Sequence, residues 1–369
     1  MSFQIIGYAK DFRTDTNVLY AQISIKQYLD LIGDNFQDFE IQRKREKHKA
    51  YARMKEDVQN GGVLPTITLA IKPEFFEKKI INYIEEKDTE SLSKWLFEEN
   101  KVFILDGLQR SFILKDLQSE GVEFNPKQKL LLEFWVEKEF HNLIYRFIVL
   151  NAGQKPMSIR HQLDILFYGL RKKLELDIDG LKLLSEKDNK SRSKAKEFQM
   201  KDIATSYYCF LIKNYEPAKD NIIAKQMQED KILLSDDNKI NQEFKLFKTY
   251  LHHYLDIDAL VFNKYDTPKH KNFLSAENTM NAFFAAAAVY GDENEEKKNR
   301  IIHSLEKLKN SNKEDILGLE FYDKIKGGIS AAKKNLGLEY KRILFAGFRE
   351  FFYNEGEKSL EECWEFVAR

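Results

Sequence analysis

The segment VFILDGLQRSFIL, residues 102–114, concentrates the residue types that can handle a charged ligand. Val102 to Leu105 is apolar and short, as a buried strand would be, and Asp106-Gly107 turns it into a helix that opens with polar side chains. A carboxylate at such a corner can accept the helix's unpaired N–H groups or hold a metal ion. Gly107 permits backbone conformations closed to other residues, or the close approach of a ligand. Gln109 and Arg110 project from a helix N-terminus, whose partial positive charge favours phosphate, and a guanidinium there can contact phosphate oxygens in a bidentate manner. The alternative is an N-cap aspartate salt-bridged to an arginine. Strand–Asp-Gly–helix corners are common, so the residues alone leave both possibilities open.

A second concentration is basic. Arg43, Lys44, Arg45, Lys47, Lys49, Arg53 and Lys55 are offset nearby only by Glu46, Glu56 and Asp57. That density suits a helix that tracks a nucleic-acid backbone through phosphate contacts, and equally the solvated face of an amphipathic helix. We expect a split, with Gln42, Arg43 and His48 facing a ligand cleft and the other cations facing solvent or DNA. Lys190, Arg192, Lys194 and Lys196 form a second candidate DNA contact within a polar stretch, EKDNKSRSKAK, that reads as a flexible loop. His252-His253 has no Cys or Asp at metal spacing, so a metal site there is not expected. The sequence offers no recognisable Ser-His-Asp or Cys-His arrangement.

The elements that must position these residues alternate. Thr16–Ser24 reads as a strand, residues 25–31 as a short helix, and residues 39–59 as a longer helix stopped by Asn60-Gly61-Gly62. Strands follow at 63–71, 102–105 and Lys129–Val136, and helices at 75–101, 109–119, 140–150 and 159–174. Residues 151–156 form a turn. Strand and helix alternation of this kind implies an α/β layer structure. Beyond it, 201–213, 241–254, 275–290, 295–308 and 340–369 all show helical periodicity, so an all-α second half is expected. The resulting division is an α/β domain at 1–178, a flexible polar loop or linker at 179–197, and a helical domain at 198–369.

Bulk properties set the frame. The chain has 369 residues, 43% of them hydrophobic and 32% charged, which is globular rather than disordered composition. Lys plus Arg and Asp plus Glu are both 59, so a histone-like binder is excluded and only local basic patches remain. Cys209 and Cys363 stand far apart, without metal-type spacing, which fits a reducing compartment. The N-terminal residues lack a signal peptide's pattern, and the longest apolar run, 282–290, falls far short of a membrane span. A cytoplasmic protein with no membrane partner is therefore expected.

ILDGLQRSFIL resembles the DGQHR motif, and the chain is similar to DGQHR-domain proteins of the ParB/sulfiredoxin-like superfamily, DndB-like regulators among them, with a more distant likeness to DUF262 domains. IQRKREKHKAYARM (residues 41–54), VLPTITLAI (63–71) and FIVLNAGQKPMSIRHQLDIL (147–166) resemble further family blocks in the family's order, so the likeness covers most of residues 15–170. The resemblance implies a ParB/sulfiredoxin-like N-terminal fold and a nucleotide site. Its catalytic residues would be Asp106, Gln109 and Arg110; Arg43, Gly107, Asn151, Gln154 and Lys155 would bind the nucleotide. Asp106 would hold Mg²⁺ with ATP or another NTP, and Lys44, Arg45, Lys47 and Lys49 would contact DNA. The family's usual third motif residue is Gln and here is Leu108; if that Gln contacts nucleotide or metal in relatives, this chain has lost one contact.

The function so implied is that of a DNA-associated nucleotide-binding protein, a slow ATP or GTP hydrolase, in a bacterial DNA-modification or anti-phage system. Its partners would be DNA and other proteins of that operon. A non-catalytic DndB-like regulator or recruitment module is the alternative. A nuclease fits less well, because no H-N-H motif or dense acidic cluster is recognisable.

Overall fold

A computed structural model describes residues 3–33, 49–98, 101–138, 142–143, 146, 167, 171–184, 192–217, 237–292, 294–328 and 336–368. The chain divides into two compact units, Met1–Lys155 and Pro156–Arg369.

In the first unit, strands β1 (Gln4–Asp11), β2 (Thr16–Ser24), β3 (Ile67–Ile71), β4 (Val102–Asp106) and β5 (Lys129–Val136) form a five-stranded sheet in the order β1-β2-β5-β3-β4. Only β3 and β5 run parallel; the other neighbours are antiparallel. The unit also contains helices α1 (Ile25–Ile32), α2 (Lys49–Gln59), α3 (Lys78–Glu85), α4 (Thr89–Leu96) and α5 (Leu108–Ser119), with a 3₁₀ turn at Pro73–Phe75. Leu19, Ala21 and Ile23 of β2, Leu130, Leu132 and Phe134 of β5, and Ile67 and Leu69 of β3 are all buried, as alternate positions of a half-buried sheet should be. The mixed α/β architecture expected from the alternating pattern is therefore present.

Several local expectations are corrected. Strand β1 has no counterpart in the sequence-based reading, because its exposed, Gly- and Ala-containing pattern carries little apolar periodicity. The strand expected at 63–71 begins only at Ile67; Val63 is 77% exposed. The single helix expected over 75–101 is two. Lys87 takes φ 55°, and Asp88 then caps α4 by accepting a hydrogen bond from the Ser91 amide at 3.0 Å. Helix α2 ends where expected, at Asn60 and Gly61 (φ 87°), and packs on α5 through a Tyr51–Asp116 hydrogen bond of 2.9 Å and a Lys55–Glu120 ion pair.

The second unit is mainly helical. Its described helices are α6 (Arg171–Asp177), α7 (Met200–Ile212), α8 (Asp237–Lys264), α9 (Pro268–Lys271), α10 (Glu277–Gly291), α11 (Glu295–Lys309), α12 (Leu319–Gly328), α13 (Leu336–Tyr353) and α14 (Leu360–Ala368). The alanine run of α10 is buried, and short side chains there let α7 and α13 approach closely. Around it aromatic rings interlock, with Tyr254–Phe283 and Phe247–Phe284 both 4.6 Å apart. Gly347 is required on α13: a Cβ there would lie 2.0 Å from the Trp364 ring.

The expectation of an all-α second half is corrected by a parallel two-stranded ribbon, β6 (Lys182–Leu184) with β7 (Glu197–Gln199). These strands are three residues each, too short to show alternation. The expected linker at 179–197 thus holds β6 and the start of β7, and its Arg192 is buried. Arg192 pairs with Asp258 and Lys196 with Asp256, so both cations are partnered within the fold. Among the described residues, no helix is long and apolar enough to cross a membrane.

Candidate functional site

Strand β4 is buried along its apolar length, and Asp106, its last residue, is the first to reach solvent. Gly107 then caps α5 with φ 105°, in the left-handed region. Two features make glycine necessary here. Other side chains rarely adopt that backbone, and a Cβ would lie 3.0 Å from both Cγ atoms of Ile67 and 3.2 Å from Arg110 Nε. Gly107 has no side chain with which to cap the first turn of α5, whose leading N–H groups form a helix end of the kind that favours anions.

Arg110 lies one turn into that helix, and its Nη2 donates to Asp106 Oδ2 at 2.7 Å. The pair is neither deep nor fully exposed, with side-chain exposures of 15% for Arg110 and 19% for Asp106. Arg110 Nε is buried and has no hydrogen-bond partner. Beneath the junction, Ser111 donates its hydroxyl to the Gly107 carbonyl at 3.0 Å and shares a 2.5 Å hydrogen bond with the Tyr28 hydroxyl of α1. Burial pushes the Tyr28 phenol up, despite the Ser111 bond and the Arg110 charge that pull it down, so it stays neutral. This network fixes the position of the helix start.

Gln109 is exposed at the mouth of the junction and Leu108 is half-buried. The structure therefore brings together Asp106, Gly107 and Arg110, with Gln109 at their rim. Arg43, Lys44, Arg45, Lys47, Asn151, Gln154 and Lys155 lie outside the described residues; Lys49 opens α2, but its side chain is likewise not described.

The sheet register adds residues that the sequence reading missed. Asp106 pairs with Thr68 across β4 and β3, Thr68 pairs with Glu133 across β3 and β5, and Glu133 pairs with Tyr20 across β5 and β2. Directly opposed residues of a regular ladder share one face, so Thr68, Glu133 and Tyr20 form a polar row across β3, β5 and β2, whereas the β3–β4 register shifts between Thr68 and Leu69, next to the Asp106 pairing. Thr68 donates to Glu133 at 3.2 Å. Burial and the Glu133 charge both push the Tyr20 phenol up. Two residues further along β5, Trp135 carries the Arg146 guanidinium 3.4 Å over its ring, and Arg146 also holds Asp11 and Thr14. The signal available in sequence was Glu133 itself, a carboxylate in the otherwise apolar run LLLEFWV.

Among the described residues, no group of three or more His, Cys, Asp or Glu is arranged to hold a metal ion. His253 instead bonds Glu306 at 2.9 Å. Mg²⁺ needs only one or two carboxylates when phosphates and waters supply its other ligands, and Asp106 fits that requirement. Comparison with protein-family models, with curated proteins and with solved structures found no match.

Proposed function

We propose that the strand–glycine–helix junction at 106–110 binds the phosphates of a nucleoside triphosphate with Mg²⁺, and that the chain is a DNA-associated, slow NTP hydrolase of a DNA-modification or anti-phage system. What supports nucleotide binding is the helix start itself. It follows a glycine in the left-handed region, where a Cβ would crowd Ile67 and Arg110, and it is flanked by an arginine with a buried, unpartnered Nε. Arg110 would clamp phosphate oxygens, Gln109 would orient the outer ligand shell, and Asp106 would exchange its arginine for the metal. The DNA association, the defence context and the hydrolysis rest on the DGQHR resemblance and the basic segment at 43–49.

One observation favours the non-catalytic, DndB-like alternative. Asp106 and Arg110 neutralise each other as they stand, and Leu108 occupies the position where the family carries Gln.

Thermal unfolding with ATP, GTP and CTP, each with Mg²⁺, tests the binding. Ligand at 100-fold above Kd stabilises a fold by about 2.7 kcal/mol, which a melting curve resolves. A shift in the wild type that Arg110→Ala abolishes is expected; no shift with any nucleotide rejects the site. Phosphate release, measured on the same samples, separates hydrolase from regulator.

A further inference from the structure

The second unit holds a cleft of about 410 Å³ between the end of α6 and the middle of α8. Lys245, Lys248, Thr249 and His252 of α8 line it at i, i+3, i+4 and i+7, the spacing that puts side chains on one helix face. His253 lines it as well, and Asp177 of α6 is its one lining carboxylate. We propose that this cleft binds the phosphate group of a small molecule through Lys245, Lys248 and His252, as a site separate from the strand–glycine–helix junction of the first unit.

The ion pairs around the cleft leave cationic groups over. His253 Nδ1 lies 2.9 Å from Glu306 of α11, so that ring is already partnered. Lys248 meets Asp177 at 3.4 Å, a long contact that leaves its ammonium room for a second acceptor. Among the described residues, neither Lys245 nor His252 has an ion-pair partner, and both are exposed. Thr249 adds no donor, because its hydroxyl donates to the Lys245 carbonyl at 3.1 Å. With Lys248 and Asp177 cancelling, Lys245 and a protonated His252 leave an excess of one to two positive charges. A phosphate monoester carries about −1.5 to −2 near neutral pH, which matches that excess; a carboxylate falls short of it. The size and shape favour a small molecule over a nucleic-acid backbone. The volume falls within the range of about 300–1,000 Å³ usual for small-ligand clefts. Lys248 is held down beside Asp177 and 5.4 Å from the Phe244 ring, instead of reaching out to a convex backbone. Asp177 in the wall also opposes a continuous polyanion more than a single phosphate.

Histidine ring NMR signals of the full chain test this, with His252→Gln assigning the one signal at the cleft. At constant pH and ionic strength, inorganic phosphate is expected to move the His252 signal saturably, and chloride is not. Lys245→Ala and Lys248→Ala should each weaken the fitted affinity by about three- to tenfold, the loss of one charge-assisted contact at a partly exposed site. Arg110→Ala, in the other unit, should leave it unchanged. A His252 signal that phosphate moves no more than chloride does overturns the proposal. So does a response that both lysine variants leave intact, since that is screening and not a site. A signal that answers to a short DNA duplex but not to phosphate overturns the small-molecule assignment in favour of a nucleic-acid face. The wild-type comparison of phosphate with chloride decides the matter even where a lysine variant folds poorly.

Discussion

Two Asp–Arg pairs, one in each unit, join the same two residue types and differ in what their surroundings allow. Arg110 and Asp106 meet through a single 2.7 Å contact at a helix start, with both side chains partly exposed. Arg192 reaches both oxygens of Asp258, at 2.8 and 2.9 Å, where exposure falls to 8% and 0%. Its guanidinium also lies 4.9 Å from the Phe262 ring and 5.4 Å from Phe198, and the Lys196 amide donates to Asp258 Oδ2 at 2.7 Å. The buried pair anchors residues 192–199 to α8. The partly exposed pair costs little to open, because water can replace either partner, and that is what a ligand-exchanging arginine requires.

The contrast is broken most directly by truncating each arginine. Arg192→Ala leaves a buried carboxylate with only the Lys196 amide, and a loss of about 3–5 kcal/mol is expected in urea unfolding. Arg110→Ala, measured the same way, should cost no more than about 1 kcal/mol. Equal losses would mean that both pairs are structural anchors.

Gly107→Ala sharpens the junction half of the comparison. The new Cβ meets Ile67 and Arg110 in a backbone region that disfavours it, so a destabilisation of about 1–3 kcal/mol is expected. Displacing Arg110 should also remove the thermal response to nucleotide, which Arg110→Ala would remove with far less loss of stability.

The smallest effect concerns the shell around the buried anchor. Burial pushes the Asp256 carboxyl up, but hydrogen bonds from Lys309 and Lys196 outweigh it and hold the group at about 2. Its folded pKa is thus below its unfolded value, near 3.9. The stabilisation is complete above about pH 4 and disappears as pH falls from there towards 2. Lys309→Met should flatten that acid limb in a pH series of melting temperatures; an unchanged limb would mean the pair contributes nothing.

The two pairs also show why one was legible in sequence and the other was not. Asp106, Gly107 and Arg110 fall within five consecutive residues, so strand, turn and helix start are all encoded locally. Strands β2 and β5 were readable for the same reason, since each is a short stretch whose own residues are rich in apolar and β-forming types. Arg192 sits in a stretch nearly free of apolar residues, and its partner is 66 positions away. Local polarity signals a loop, and only the fold reveals a buried partner. Helices α3 and α4 merged into one expectation because the break needs just one residue, Lys87, in a left-handed conformation, and hydrophobic periodicity passes straight over it.

The sequence by itself determined the α/β character of the first half, the helical character of most of the second, and the strand–glycine–helix junction, because each depends on periodicity or on neighbouring residues. Only the tertiary structure decided that Tyr20, Glu133 and Thr68 share one row, and that Arg192 and Asp258 form one buried pair. Strand order and register are set by how distant apolar faces pack together, and no local stretch of chain carries that information.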